Sequence, residues 1–254
     1  MLFYWFLKFV ALGPVLKLVY RPRAEGVHNV PRTGAAILAS NHLSAADWVF
    51  MPLIVRRRVT FLAKAEYFTG TGLKGTLQRA FFTGAGQVPI DRSSASAAED
   101  AILTGLRLLR AGRLLGIYPE GTRSPDGRLY RGKTGVARMT LETGVPVLPV
   151  AMTYRPRRLP VLGWNLPAVG IRIGEPLDFS RYEGLAGDRF VERSVTDEIM
   201  YEIMTLSGQE YVDVYGARVK TSMDATGASA SEVVSRLQPP ADEAADRAPE
   251  SLAG

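Results

Sequence analysis

The sequence predicts an α/β fold in which a largely parallel or mixed central sheet is flanked by helices, with a pair of short helices ahead of it. Two observations support this prediction. Short apolar runs of strand length alternate with longer stretches whose apolar residues recur every three or four positions. Alternation of this kind is typical of parallel strands joined by helices. With 254 residues, of which 46% are hydrophobic, the chain can also bury one sizeable core; two small domains are the less favoured alternative.

The segment up to Tyr20 is almost wholly apolar and rich in aromatic side chains, with Gly13-Pro14 in its middle. Because proline lacks an amide donor, this pair predicts two short helices instead of one spanning helix. Trp and Tyr favour the depth of the lipid headgroups, which the ammonium groups of Lys8 and Lys17 can reach. We therefore expect residues 1–22 to be an interfacial anchor, peripheral or monotopic, on the cytoplasmic face of the cell membrane. The alternative is a helix folded onto the core.

The main domain is predicted to span residues 23–221. Its strands are expected at 23–30 (ending in a turn), 35–40, 59–63, 87–90, 113–118, 145–153 and 169–173. Its helices are expected at 46–55, 73–82, 94–110, 134–142 and 188–206. The clearest helix is the third, in which Ala98, Ile102, Leu106 and Leu109 form one apolar stripe. Residues 155–167 contain three prolines and are expected to form an irregular loop.

Charge is distributed unevenly along the chain. Residues 222–254 contain six acidic and two basic residues and have a net charge of −4. Because the whole chain has a net charge of +6, residues 1–221 have a net charge of +10. This last segment has few large apolar residues and is predicted to be a disordered acidic tail. The basic body suits an anionic partner such as a membrane surface, nucleic acid or a phosphorylated substrate, although many proteins are basic without one.

The composition excludes several chemistries. The chain has no cysteine, which rules out a thiolate nucleophile, disulfides and cysteine-ligated zinc. His28 and His42 are the two histidines, too few for a histidine-rich metal site, and His28 is expected to be a loop residue. The sequence also lacks the Gly-x-Ser-x-Gly pattern of serine hydrolases. No metal and no resident cofactor are predicted.

The segment Asn41-His42-Leu43-Ser44-Ala45-Ala46-Asp47 follows a predicted buried strand and is the first candidate for chemistry. A carboxylate beside a histidine can hold one imidazole nitrogen and leave the other to take a proton. If His42 lies on the loop before the next helix, Ser44 can be the N-cap and Asp47 the third helical residue of a capping box. A helix cap without catalysis is the alternative, and both roles of Asp47 are compatible.

The second candidate is Glu120-Gly121-Thr122-Arg123, which also follows an apolar strand. Glycine lets the backbone approach a ligand, successive amides can bind an anion, and a guanidinium fits phosphate. A β-turn closed by a Glu–Arg ion pair is the equally favoured alternative. Further candidates are Asp91-Arg92, Lys64, Arg131 and Lys133. For each of them the alternative is a charged residue on the surface without a role in binding.

Four ordered blocks together resemble the glycerophospholipid acyltransferase family, of the 1-acylglycerol-3-phosphate acyltransferase (PlsC) kind. The resemblance covers about residues 23–174. Asn41 to Asp47 is similar to the family's N-H-x-S-x-x-D block, and residues 86–92 are similar to the block that ends in Asp/Asn-Arg. Residues 118–124 resemble F-P-E-G-T-R-S with Tyr for Phe, and residues 145–150 resemble V-P-[VI]-x-P-V.

The resemblance implies a role for each matching residue. His42 is the general base, and Asp47 orients it. The substrate-binding positions are Arg92, Glu120, Gly121, Thr122 and Arg123, with Lys64 as an addition. The implied reaction moves a fatty acyl group from acyl-CoA or acyl carrier protein to the free hydroxyl of 1-acylglycerol-3-phosphate, with no covalent enzyme intermediate.

Other functions stay open at this point. The same chemistry could serve another lysophospholipid, a glycolipid or an ornithine lipid as acceptor. A non-catalytic protein that binds anionic lipid would share the anchor and the basic body. Nucleic-acid binding is disfavoured because the basic residues lack interleaved aromatic residues outside the anchor.

Overall fold

A computed structural model describes residues 2–91, 96–159 and 164–238. The strands are β1 (Arg23–Glu25), β2 (Ala36–Ser40), β3 (Val59–Lys64), β4 (Gln87–Ile90), β5 (Leu114–Ile117), β6 (Leu129–Tyr130), β7 (Val147–Arg155), β8 (Arg158–Leu159), β9 (Trp164–Asn165), β10 (Ala168–Ile173) and β11 (Tyr211–Val212). The helices are α1 (Leu2–Phe6), α2 (Leu12–Tyr20), α3 (Asp47–Ile54), α4 (Gly72–Gly84), α5 (Ala97–Arg110), α6 (Gly135–Thr143), α7 (Arg189–Ser207), α8 (Gly216–Thr226) and α9 (Ala230–Leu237).

The central sheet has seven strands in the order β1-β10-β7-β2-β5-β3-β4. Every neighbouring pair is parallel except β10 and β7, which are antiparallel. The predicted mixed α/β fold is therefore confirmed. Because β2, β5, β3 and β4 run in the same direction, their carboxyl ends lie along one edge of the sheet, where ligands bind in open α/β folds.

Strand β2 lies at the centre of the sheet and is buried along its whole length. Its side chains alternate between two cores, as the pleat requires. Ala36 and Leu38 face the core that holds α3, whereas Ile37 and Ala39 face the core formed with α5, α6 and α7. The two-sided burial explains why this strand is an unbroken apolar run in the sequence.

The N-terminal segment forms one continuous helix over Leu2–Tyr20, because a π-helical segment at Leu7–Ala11 joins α1 to α2. Pro14 lies in the first turn of α2, where a missing amide donor is tolerated best. The prediction of two separate short helices is therefore wrong. By length and composition, and by these alone, this helix could cross a membrane.

Lys8 points towards the domain and away from solvent. Its ammonium group donates a hydrogen bond to the carbonyl of Val55 at the end of α3, and it lies 5.4 Å from the ring centroid of Trp5. Only 6% of the residue is exposed. The expectation that Lys8 reaches lipid headgroups is wrong, because a buried helix-end carbonyl takes the charged donor instead.

The segment from residue 211 onwards forms a small third core. Strand β11 pairs with β6, and α8 and α9 pack against that pair through buried side chains that include Tyr130, Val219 and Val233. Helix α9 begins with a capping box between Ser229 and Glu232. The prediction of disorder from residue 222 is wrong for residues 222–237, and the predicted boundary at 221 falls inside α8. Residues 239–254 of the predicted tail lie outside the described residues.

The region predicted as an irregular loop also contains regular structure. Strand β7 continues to Arg155, and the short strands β8 and β9 pair antiparallel. Residues 160–163 between them lie outside the described residues. Helix α5 ends at the predicted residue, Arg110, and starts at Ala97, three positions after the predicted start.

Candidate active site

The candidate residues follow the carboxyl ends of neighbouring parallel strands. His42 comes two residues after β2, and Tyr118 to Ser124 come directly after β5, the strand beside it. Both segments turn away from the sheet at the same edge, and two hydrogen bonds join them. The backbone N–H of His42 donates to Glu120 Oε1 at 3.0 Å, and the N–H of Ser124 donates to the His42 carbonyl at 2.7 Å.

The side chains of His42 and Asp47 are in direct contact. His42 Nδ1 lies 2.9 Å from Asp47 Oδ2, with the histidine side chain 18% exposed and the aspartate fully buried. The imidazole thus has one nitrogen held from inside the protein, and Nε2 is the nitrogen left for a ligand. The predicted proximity of the two residues, with His42 ahead of the helix, is confirmed.

The predicted capping box is wrong in its register. Helix α3 begins at Asp47 itself, and the Ser44 hydroxyl accepts the N–H of Ala46. The carboxylate does accept the backbone N–H of Ser44 at 2.9 Å and of Leu43 at 2.8 Å, both on Oδ2. These bonds close the loop around the aspartate and set the position of His42 at its start.

Tyr154 completes the surroundings of Asp47 from β7. Its hydroxyl donates to Asp47 Oδ1, so the buried carboxylate accepts four hydrogen bonds in total. Burial, followed by the Asp47 charge, raises the pKa of the Tyr154 hydroxyl, which therefore stays a donor at physiological pH. The Asp47 carboxylate can in turn stabilise a positive charge on the imidazole to which it is hydrogen-bonded.

Aromatic stacking fixes the plane of the His42 ring. The Tyr118 ring is stacked on it at a centroid distance of 4.0 Å, and the ring of Phe61 in β3 is stacked on Tyr118 at 5.7 Å. The Tyr118 hydroxyl is buried, and no hydrogen-bond partner for it is present among the described residues. The imidazole is therefore restrained by stacking as well as by its bond to Asp47.

Glu120 is buried beneath the loop and holds backbone, in contrast to its implied contact with substrate. Only 1% of it is exposed. Its Oε1 accepts the N–H of His42 at 3.0 Å, and its Oε2 accepts the N–H of Tyr130 at 2.9 Å. With its oxygens occupied in this way, the carboxylate joins the His42 loop to β6.

The environment of Glu120 perturbs its ionisation. Burial raises the pKa of its carboxyl from 4.5 to about 7, against the opposing effect of the two N–H donors and of the Lys220 charge. A substantial fraction of Glu120 is therefore neutral at physiological pH. The basic side chains around this loop are consequently close to less negative charge than a fully ionised Glu120 would supply.

Gly121 and Thr122 form the turn of the loop. Gly121 has a φ of +71°, which favours glycine, and its N–H donates to the Tyr118 carbonyl at 2.9 Å. A Cβ atom at this position would lie 3.0 Å from the Lys133 side chain. The Gly121 amide is thus used within the loop, which differs from its implied approach to substrate, while glycine allows Lys133 to cross the turn.

Of the basic residues, three lie near the Gly121 turn and Lys64 lies farther along the sheet edge. Arg123 and Lys133 are exposed, and Lys220 of α8 donates to the Thr122 hydroxyl at 3.0 Å. Lys64 is exposed at the end of β3; the strand register places it level with Asn41, about 10 Å from β2 because β5 lies between. Arg92 lies outside the described residues.

Several residues of this site escaped the sequence reasoning. Asn41 is fully buried, and its side-chain amide pairs with both backbone groups of Met152, at 2.9 Å and 2.7 Å. Tyr154 and Lys220 carry no local signal, since their partners are far away along the chain. Only Asn41 had a signal in the sequence that could have identified it, since it is the first residue of the N-H-x-S-x-x-D block. Among the described residues, no group of three or more His, Asp or Glu side chains is arranged to hold a metal ion.

Comparisons with known proteins give one consistent result. The family model described as Acyltransferase matches residues 21–153, the part of the chain that contains both candidate loops. A chloroplastic 1-acyl-sn-glycerol-3-phosphate acyltransferase of Arabidopsis thaliana is 30% identical over 134 residues, which are 52% of this chain and 36% of the relative. An enzyme of the same name from Borreliella burgdorferi is 29% identical over 127 residues, 50% of this chain and 49% of the relative.

The chain therefore spans about a third to a half of the length of these curated relatives. Among solved structures, the chain is similar to the 1-acyl-sn-glycerophosphate (LPA) acyltransferase PlsC from Thermotoga maritima, with a TM-score of 0.52 and 24% identity. That match covers 80% of this chain and 87% of the other, and at this identity it shows a shared fold.

Proposed function

Because this chain belongs to the Acyltransferase family, we propose that it transfers a fatty acyl group from acyl-CoA or acyl carrier protein to the free hydroxyl of 1-acylglycerol-3-phosphate. The product would be phosphatidic acid. The observation that carries the proposal is the contact of 2.9 Å between His42 Nδ1 and the buried Asp47 carboxylate. The names of the relatives supply the acceptor, which the geometry of the site fits through its exposed basic residues.

In the proposed mechanism, His42 is the catalytic residue. Its Nε2 takes the proton from the acceptor hydroxyl as that oxygen attacks the thioester carbonyl carbon. The carbon–sulfur bond then breaks, and the proton on Nε2 passes to the departing thiolate, so an ester and a free thiol form. Asp47 is a positioning residue that fixes the Nδ1–H tautomer and stabilises the imidazolium.

The thioester supplies part of the driving force, so a base and correct positioning account for most of what remains. General-base catalysis contributes about 10²- to 10⁴-fold in rate. The stacked Tyr118 ring and the Asp47 contact hold the imidazole before substrate arrives, which reduces the entropy lost in reaching the reactive geometry.

We also propose that the helix over Leu2–Tyr20 attaches the domain to the cytoplasmic face of the cell membrane. Large apolar side chains are exposed along it, including Leu2 at 88% and Leu18 at 72%. The same helix is held to the domain by Lys8, whose ammonium group binds the Val55 carbonyl. A helix with one face on the protein and the other face apolar suits the membrane interface, where a lysolipid acceptor resides.

Substitution of the histidines tests the proposal. In the purified full chain, His42→Ala is expected to lower transfer from radiolabelled acyl-CoA to lysophosphatidate about 10³-fold, because the base is gone. His28→Ala, at the other histidine, serves as the matched control and should keep the wild-type rate. Circular dichroism confirms that both variants fold.

Retained turnover in folded His42→Ala would overturn the mechanism. A panel of acceptors offered with one acyl donor then tests the substrate: a faster rate with a lysophospholipid other than lysophosphatidate, a glycolipid or an ornithine lipid would contradict the proposed acceptor while leaving the chemistry intact.

A further inference from the structure

Three basic residues from separate segments gather at the Gly121 turn: Arg123 of the same loop, Lys133 just before α6, and Lys220 of α8. The Lys220 ammonium group donates to the Thr122 hydroxyl at 3.0 Å. Lys133 crosses Gly121 so closely that a Cβ there would lie 3.0 Å from it. Lys220 and Arg123 repel each other electrostatically, which indicates that their charges are close together.

This cluster is not neutralised within the described part of the chain, where none of the three cations forms an ion pair with a carboxylate. The acidic groups that act on Lys220 are Glu120 and Asp224. Glu120 is buried and partly neutral at physiological pH, and both of its oxygens are engaged by backbone N–H groups. The turn therefore presents an excess of positive charge.

The fold holds Lys220 in this place firmly. Val219, its neighbour in α8, is fully buried in the small core formed by β6, β11, α8 and α9. Gly216 at the start of α8 approaches the loop so closely that a Cβ there would lie 3.3 Å from both Thr122 and Tyr130. Because Tyr130 also donates its N–H to Glu120, the position of α8 is tied to the carboxylate beneath the His42 loop.

The hydrogen-bonding capacity of Lys220 is only partly used. An ammonium group has three N–H donors, and the Thr122 hydroxyl takes one of them. Lys220 is half-buried, so its remaining donors are accessible to a ligand at the turn. Such a ligand would be an anion with several acceptor oxygens, for which a cluster of ammonium and guanidinium groups is well suited.

We propose that Lys220 binds the phosphate monoester of the acceptor lipid, so that the C-terminal helix pair α8–α9 completes the acceptor site. This inference rests on the proposed function. In 1-acylglycerol-3-phosphate, the phosphate is attached to the carbon next to the one that bears the free hydroxyl. A hydroxyl at His42 therefore brings the phosphate close to the loop that His42 contacts through Glu120 and Ser124. A phosphate monoester carries about −1.5 to −2 charges at neutral pH, which suits more than one cation.

The test is the steady-state kinetics of Lys220→Met in the full chain. We expect the KM for lysophosphatidate to rise about tenfold, with kcat within about twofold of wild type, because a charge-assisted hydrogen bond to the acceptor is lost. Lys220→Arg should restore most of the affinity. Arg218→Met is the matched control, since Arg218 is exposed on the same helix and two positions away, hence on a different face.

Different outcomes separate the possible sources of phosphate. A rise in the KM for acyl-CoA instead of the acceptor would overturn the proposal and assign Lys220 to the donor's phosphates. An unchanged acceptor KM, or an equal rise in Arg218→Met, would also overturn it. With lysophosphatidylcholine, whose phosphodiester carries one negative charge, the KM should differ less between wild type and Lys220→Met than it does with lysophosphatidate.

A binding measurement keeps this inference distinct from the proposed function. Addition of sn-glycerol 3-phosphate should raise the Tm of wild type and of Arg218→Met, and should raise that of Lys220→Met by less. If wild type transfers no acyl group to lysophosphatidate yet shows this Lys220-dependent rise, the proposed function is wrong and the phosphate subsite stands. If the Tm rise is the same in all three proteins, the subsite is wrong.

Discussion

Asp47 and Glu120 are both buried carboxylates at the same sheet edge, yet their surroundings differ. Asp47 is fully buried and accepts four hydrogen bonds, three of them on Oδ2 and one from Tyr154 on Oδ1. Glu120 is 1% exposed and accepts two, one on each oxygen. Two carboxylates that are buried to nearly the same extent therefore accept different numbers of hydrogen bonds, because different numbers of donors point at them.

The two carboxylates therefore have different roles in the site. Asp47 holds a side chain, the imidazole of His42, whereas Glu120 holds the backbone N–H of the same residue. Loss of the Asp47 charge should therefore reduce catalysis, and loss of Glu120 should mainly reduce stability. Three substitutions test this division between catalysis and stability.

The largest effect is expected for Asp47→Asn. The amide would present an NH₂ group or a neutral oxygen to His42, so the tautomer would no longer be fixed and the imidazolium would lose its counter-charge. We expect kcat to fall about 10³- to 10⁴-fold. Single-turnover transfer assays measure this, with the exposed Asp178→Asn as the control. A fall of less than tenfold would show that Asp47 only closes the loop.

The next largest effect is expected for Glu120→Gln. The amide can accept only one of the two N–H groups that the carboxylate now accepts, so one buried donor loses its partner. The free energy of unfolding should fall by about 1 to 3 kcal/mol at neutral pH. Urea denaturation measures this change, and Glu210→Gln, whose side chain is 72% exposed, is the control.

Glu120 should also make stability depend on pH. Its pKa is raised in the folded protein from 4.5 to about 7, so the folded state binds the proton more tightly than the unfolded state does. Its contribution to stability is fully present below pH 4.5 and is lost as the pH rises through about 7. The loss amounts to up to about 3 kcal/mol. Wild type should show this decline relative to Glu120→Gln; parallel pH profiles of the two proteins would contradict it.

The smallest effect is expected for Tyr154→Phe, which removes one of the four donors to Asp47 and keeps the ring. The carboxylate retains three hydrogen bonds, so we expect kcat to fall about tenfold. Tyr201→Phe, at an exposed tyrosine of α7, is the control for the loss of a hydroxyl. A loss as large as that of Asp47→Asn would mean that Tyr154 acts directly on substrate, and no loss would mean that three donors suffice.

Local pattern was sufficient for most of the fold. Strands β2 and β5 lie inside the predicted ranges, because a strand buried on both faces leaves an unbroken apolar run. The edge strand β4 has the predicted bounds although it is only partly buried. A cap at Ser44 requires α3 to start at residue 45, two positions before its actual start at Asp47, which is why the predicted cap is wrong. The helices α8 and α9 were missed because their apolar residues are few, although the Ser229-x-x-Glu232 capping box was visible in the sequence.

The α/β class and the His42–Asp47 pair could be predicted from the amino-acid sequence, because periodicity and short spacing act within one segment. The groups that surround that pair come from distant segments and depend on tertiary packing. Tyr154 meets Asp47 across 107 positions of the chain, and Lys220 meets Thr122 across 98. Tertiary packing also decided that Glu120 is buried under the loop with its oxygens on backbone. Such contacts depend on how distant segments pack around the sheet edge, and no local pattern of residues encodes that packing.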